Sequence, residues 1–107
     1  MAKVVITPKA FQDLEEIQTF IARDNEETAR KYVDQILKKL EGLSEHAHLG
    51  ISLKRKWGIP TSYHFIICQT HLALYKIEGD FVRVYRVLHG KQDYLAILGL
   101  EKEPTIS

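Results

Sequence analysis

Three apolar runs decide the fold: Ser62-Tyr63-His64-Phe65-Ile66-Ile67-Cys68, His71-Leu72-Ala73-Leu74-Tyr75-Lys76-Ile77 and Phe81-Val82-Arg83-Val84-Tyr85-Arg86-Val87-Leu88. Only Gln69-Thr70 and Glu78-Gly79-Asp80 separate them. Runs of this length, rich in β-branched and aromatic residues, read as strands, and links this short force antiparallel neighbours. Arg83 and Arg86 lie three apart on the last strand, so they are expected on opposite faces of the sheet. By the same alternation Val82, Val84 and Leu88 share the face of Arg86, which predicts a carboxylate partner for Arg86 and a solvated Arg83.

Upstream the period changes from two to that of a helix. Val4-Val5-Ile6, within Lys3–Thr7, suits a short buried strand, and Thr7-Pro8 supplies a helix cap followed by proline at the first helical position. Phe11, Leu14, Ile17 and Ile21 then recur at helical spacing and predict an amphipathic helix over about 8–23. Asp24-Asn25-Glu26-Glu27 offers an Asp-x-x-Glu capping box for a second helix. Its stripe is Ala29, Val33, Ile36, Leu37, Leu40 and Leu43, ending near Gly42–Ser44. The connection is short enough to make the two helices an antiparallel hairpin. From His46 to Pro60 no period holds, so a long loop is expected, with one short strand near Ile51–Leu53. Lys91–Gly99 predicts a short C-terminal helix, and residues 100–107 read as a flexible tail. The order is β-α-α-β-β-β, an α+β fold in which the helical hairpin packs on a mainly antiparallel four-stranded sheet that the first strand joins.

A chain of 107 residues, 45% hydrophobic and 27% charged, is expected to form one globular domain over 1–107. No apolar run approaches the ~20 residues of a membrane span, and the start turns polar too quickly for a secretory signal, so a cytoplasmic location without membrane contact is expected. Cys68, the lone cysteine, sits in an apolar run and reads as core. The net charge of +1 conceals an asymmetry: residues 8–45 carry six Lys/Arg against nine Asp/Glu, and residues 46–100 carry seven against three. The second half is therefore the better candidate for meeting a polyanion. Among the five histidines only His46-x-His48 approaches ligand spacing, and it lacks a companion, so no metal is expected. No glycine-rich phosphate loop or Ser/His/Asp pattern points to a cofactor or a nucleophile.

Specific residues go further. Val82-Arg83-Val84-Tyr85-Arg86-Val87-Leu88-His89-Gly90-Lys91-Gln92-Asp93, the opening Val5-Ile6-Thr7-Pro8-x-Ala10-x-x-Asp13-Leu14-x-x-Ile17, and Ala29-x-x-Tyr32-Val33-x-x-Ile36 in the second helix resemble the RelE/ParE toxin superfamily over residues 3–95. The last strand and turn are similar to ParE-like and plasmid-stabilisation members. The resemblance implies the toxin of a type II toxin–antitoxin system, bound by a cognate antitoxin in a hetero-oligomer and arresting growth when free. It leaves three readings: a ParE-like poison of DNA gyrase, a RelE-like endoribonuclease acting on mRNA in the ribosome, and an inactive member that still binds antitoxin.

The chemistry separates them. Cleavage of RNA through its 2′-hydroxyl needs a base, cations for the charge building on phosphate, and an acid. Where cleaving members of the family place lysines and an arginine on the sheet, alignment puts Tyr63, Phe65 and Leu72 here, which favours the ParE-like reading. Arg83, Arg86, His89, Lys91 and Tyr94 remain as substitutes at the other end of the sheet, able to bind phosphate without cutting it. His89 is the candidate for proton transfer, because imidazole titrates near neutrality; the competing reading is a ring that fixes its turn. Lys54-Arg55-Lys56-Trp57 joins three cations to an aromatic surface, which suits a phosphate backbone with one stacked base or an acidic antitoxin segment; the alternative is a solvated loop with Trp57 as packing.

Overall fold

The computed structural model describes residues 2–99. Strand β1 (Lys3–Ile6) leads into α1 (Pro8–Ala22) and α2 (Glu26–Glu41). A region of short elements follows, with 3-10 turns at Gly42–Ser44 and Ala47–Leu49, strand β2 (Ile51–Ser52) and helix α3 (Leu53–Trp57). The meander β3 (Tyr63–Cys68), β4 (His71–Glu78) and β5 (Phe81–His89) completes the sheet, and α4 (Tyr94–Ile97) ends the described chain. The order β1-β5-β4-β3-β2 makes five strands rather than four. Every pairing is antiparallel except β1 with β5, which run parallel in the register Lys3↔Phe81 to Ile6↔Val84.

The expected 46–60 loop is thus largely structured. Ser52 caps α3 by accepting the Arg55 amide at 3.3 Å, and Gly58 ends it in the left-handed region at φ 66°. One turn of helix is too short to leave a period in the sequence. Gly50 approaches the sheet so closely that a Cβ would lie 2.3 Å from the Tyr75 hydroxyl. That hydroxyl accepts the Gly50 amide at 3.0 Å and donates to the Ala47 carbonyl at 2.8 Å, pinning the irregular segment to β4.

Helix α1 begins as predicted: Thr7 Oγ1 accepts the Ala10 amide at 3.2 Å, with Pro8 behind it. The cap of α2 is Asn25, whose side chain accepts the Thr28 amide at 2.9 Å, and not Asp24. The buried stripe of α1 keeps Leu14 and the partly buried Ile17 and adds Ala10 and Asp13, while Phe11 falls outside it at 56% exposed. The stripe of α2 is buried at Ala29, Val33, Ile36, Leu40 and Leu43, with Leu37 partly buried.

The hairpin covers one face of the sheet, meeting Ile66, Cys68, Ala73, Tyr75, Val82, Val84 and Val87. On the outer face a second cluster, Phe65, Leu72, Leu74 and Leu88, closes under Leu53 of α3 and against Tyr94, Leu95 and Leu98. The β4–β5 register passes from Tyr75↔Val84 to Leu74↔Arg86, leaving Tyr85 as an extra residue. Such a bulge reverses the alternation beyond it. Leu88 therefore lies on the outer face, opposite Val82 and Val84, which corrects the expectation that these three share a face. The expected tail lies outside the described residues.

Candidate functional site

Three groups of polar side chains stand out, and they divide the residues that the sequence reading placed together. The first lies where α1 and α2 meet the far end of β4 and β5. His71 and His89 are direct cross-strand partners with ring centroids 5.1 Å apart. The Tyr32 hydroxyl, from α2, lies 2.6 Å from His71 Nδ1 and 2.7 Å from Thr70 Oγ1. Burial, and secondarily the neighbouring His89, push His71 below its ordinary pKa. These groups line a cleft of about 430 Å³ whose opposite wall is Ile17, Ile21 and the 68% exposed Phe20 of α1.

At the base of this cleft Arg86 meets Asp13. The guanidinium donates from Nε to Asp13 Oδ2 at 2.8 Å and from Nη2 to Oδ1 at 3.0 Å, and Asp13 Oδ2 also accepts the Val87 amide at 3.0 Å. Asp13 is 5% exposed. This carboxylate raises the Arg86 pKa, and the fork that could grip a phosphate is turned into the fold. His89 is held as well: its Nδ1 accepts the Lys91 amide at 3.1 Å and its own amide donates to Gln92 Oε1 at 2.8 Å. With Nδ1 accepting, the neutral ring carries its proton on Nε2 and has no free basic lone pair. Lys91 itself is exposed on this turn.

The second group lies on the outer face toward the β4–β5 turn. Glu78 accepts from Arg83 Nε and from the Tyr85 hydroxyl, each at 2.8 Å. Lys76 Nζ lies 4.5 Å from the Tyr63 ring centroid and 5.4 Å from that of Tyr85. The bonds from Arg83 and Tyr85 pull the Glu78 pKa down, and the Tyr85 hydroxyl is correspondingly pushed up. Arg83 is therefore paired rather than solvated. His89 lies six positions further along the strand, about 20 Å at roughly 3.4 Å per residue, and faces the opposite side, so the two do not form one site.

The third group is α3 with α4. Lys54, Arg55, Lys56 and Trp57 are all exposed, on a helical turn rather than a loop. The Trp57 indole stacks on Phe65 at 5.8 Å and 12°, and Tyr94 tilts against both rings at 6.2 and 6.1 Å. Burial raises the Tyr94 pKa. The fold thus brings Tyr94, which the sequence reading grouped with His89 and Lys91, onto one surface with Trp57 and the basic triplet, and that reading missed Asp13, Tyr32, His71 and Glu78. Asp13 had a legible signal: it sits inside an otherwise apolar stripe, where a carboxylate needs a partner. Tyr32 and His71 gave none, because only the register brings α2 to the start of β4.

A helical hairpin on one face of a meander, with the first strand returning beside the last, defines a toxin of the RelE/ParE superfamily. More narrowly, the family model of the ParE toxin of type II toxin–antitoxin systems, parDE, matches residues 4–94, and the chain belongs to that family. No curated protein matches it in sequence. Among solved structures it is similar to the chromosomal ParDE TA system from P. aeruginosa, with a TM-score of 0.69 and 21% identity, covering 83% of this chain and 96% of that one. It is also similar to the toxin–antitoxin complex RelBE2 from Mycobacterium tuberculosis, TM-score 0.55 at 21% identity over 82% and 96% of the two chains. The YoeB dimer from Staphylococcus aureus gives TM-score 0.55 at 18% identity over 82% and 95%. At these identities the likeness is one of fold.

Proposed function

We propose that this type II toxin arrests growth as a ParE-like poison of DNA gyrase, and that a cognate antitoxin silences it in a cytoplasmic hetero-oligomer. The observation that carries the reading is the outer face of the sheet. Its centre is filled by Phe65, Leu72, Leu74 and Leu88, all buried, so among the described residues no cation stands there to stabilise charge on a reacting phosphate. Two further facts support it. Arg83 is neutralised by Glu78, and the basic nitrogen of His89 is occupied by the Lys91 amide. The antitoxin seat is assigned to the cleft beside α1, where Phe20, Ile17 and Ile21 offer an apolar wall to an amphipathic segment. The similar structures of a ParDE system and of RelBE2 and YoeB-YefM complexes agree with such a partner.

Induced expression tests the target. Double-strand breaks covalently linked to gyrase, intact ribosome-bound messages, and toxicity retained by His89→Gln are the expected result. Fresh cuts in the codon under the ribosomal A site, abolished by His89→Gln, would overturn it in favour of an endoribonuclease. Full expression without any growth effect would also overturn it, leaving an inactive member that only binds antitoxin.

A further inference from the structure

We infer that α3 is a binding site for single-stranded nucleic acid, with the Trp57 indole as the stacking shelf and Lys54, Arg55 and Lys56 as phosphate contacts. The inference is independent of which target underlies growth arrest. Leu53 is fully buried and anchors the turn, so Lys54, Arg55 and Lys56 project outward, while Trp57, one turn on, lies on the face of Leu53 and stays 46% exposed. Among the described residues none of the three cations enters an ion pair, although Lys31, Lys38, Arg83 and Arg86 all do. The wider field has the same sign: residues 46–77 contain four Lys/Arg and no Asp/Glu.

The indole turns a cationic patch into a specific one. Its inner face is fixed by the stack on Phe65, which belongs to the outer apolar cluster, while 46% of the residue stays exposed. Lys56 Nζ lies over the ring, 5.5 Å from its centroid, so a base stacking there would take the ammonium's place and leave it free to meet the adjoining phosphate. A shelf already held rigid loses little freedom when a base lands on it. An acidic peptide would use the charges but leave the ring unexplained, and a duplex hides its base faces. An unpaired strand uses both, since every base presents a π-face beside a phosphate.

Trp57 is the sole tryptophan, so its emission reports on the site directly. The full chain would be titrated at low salt with oligothymidylate, oligouridylate, a DNA duplex and polyglutamate. Saturable quenching by either or both single strands, stronger than by duplex or polyglutamate, is expected. With three phosphate contacts, raising salt from 50 to 200 mM should weaken binding roughly twenty-fold. Lys54→Ala/Arg55→Ala/Lys56→Ala should abolish most of that salt dependence. Trp57→Leu, followed by anisotropy of a labelled oligonucleotide, should weaken binding at least several-fold, and thermal melts of both variants establish that they are folded. Unmoved emission, equal quenching by polyglutamate, or a folded triple variant that binds like the parent would each overturn the site.

Discussion

Beneath the hairpin, the sheet is closed by helices of 15 and 16 residues and carries an ion pair at the edge of its core; the outer face is closed by helices of five and four residues over a cluster without charge. The hairpin face can enclose Asp13 because every oxygen of its carboxylate is bonded, to Arg86 and to the Val87 amide. The outer face keeps its polar groups at the margins, in the Glu78 network and on α3, and spends its centre on packing. One sheet thus uses long elements to fix a buried charge, and short ones to leave a rigid polar rim available for partners.

Breaking the ion pair should have the largest effect. Asp13→Ala leaves a buried guanidinium and an amide unpaired and should lower unfolding free energy by about 4 kcal/mol, read by urea denaturation. Asp13→Leu/Arg86→Met sharpens the point: removing both charges together should recover most of that loss, because the desolvation cost disappears with them. On the outer face, Leu74→Ala should cost about 3 kcal/mol by opening a cavity under α3 and α4. It should also shift Trp57 emission, which Asp13→Ala should leave unchanged in the folded protein.

The smallest effect is one of pH. His71 has a folded-state pKa below its ordinary value of 6.5, mainly through burial and then through His89. Its neutral form is favoured by folding, so that stability is complete above the ordinary value and is lost as pH falls through it toward the lowered one. Melting temperature should therefore decline as pH falls through the ordinary value of 6.5, and more shallowly in His71→Gln. An equally steep decline in that variant would show that the dependence does not come from His71.

Long periodic elements were legible in the sequence: both helices, the meander and the terminal helical turn appear where apolar spacing put them. What escaped was decided by single residues or by distance along the chain. Asn25 rather than Asp24 caps α2, a choice between adjacent side chains of equal capping strength. The extra residue Tyr85 reverses alternation, and no composition signals a bulge there. Helix α3 spans too few residues to show a period, although Lys54, Arg55, Lys56 and Trp57 were read as one segment and lie on it. At the site, the pairing of Arg86 with a carboxylate followed from burying a cation, but its partner lies 73 residues away and only the fold names it. The set of Arg83, Arg86, His89, Lys91 and Tyr94 was read from sequence proximity; the fold keeps Arg86 and His89 on one cleft but puts Arg83 and Tyr94 on the outer face.

The parallel union of β1 with β5 ties Lys3 to Phe81, so the first strand made is among the last to find its place. During synthesis, at roughly 5–20 residues per second, the nascent hairpin waits some seconds without the strands that shelter it. Such distant pairing also slows folding once the chain is free. A protein assembled this way has no finished surface until its C-terminal third has left the ribosome.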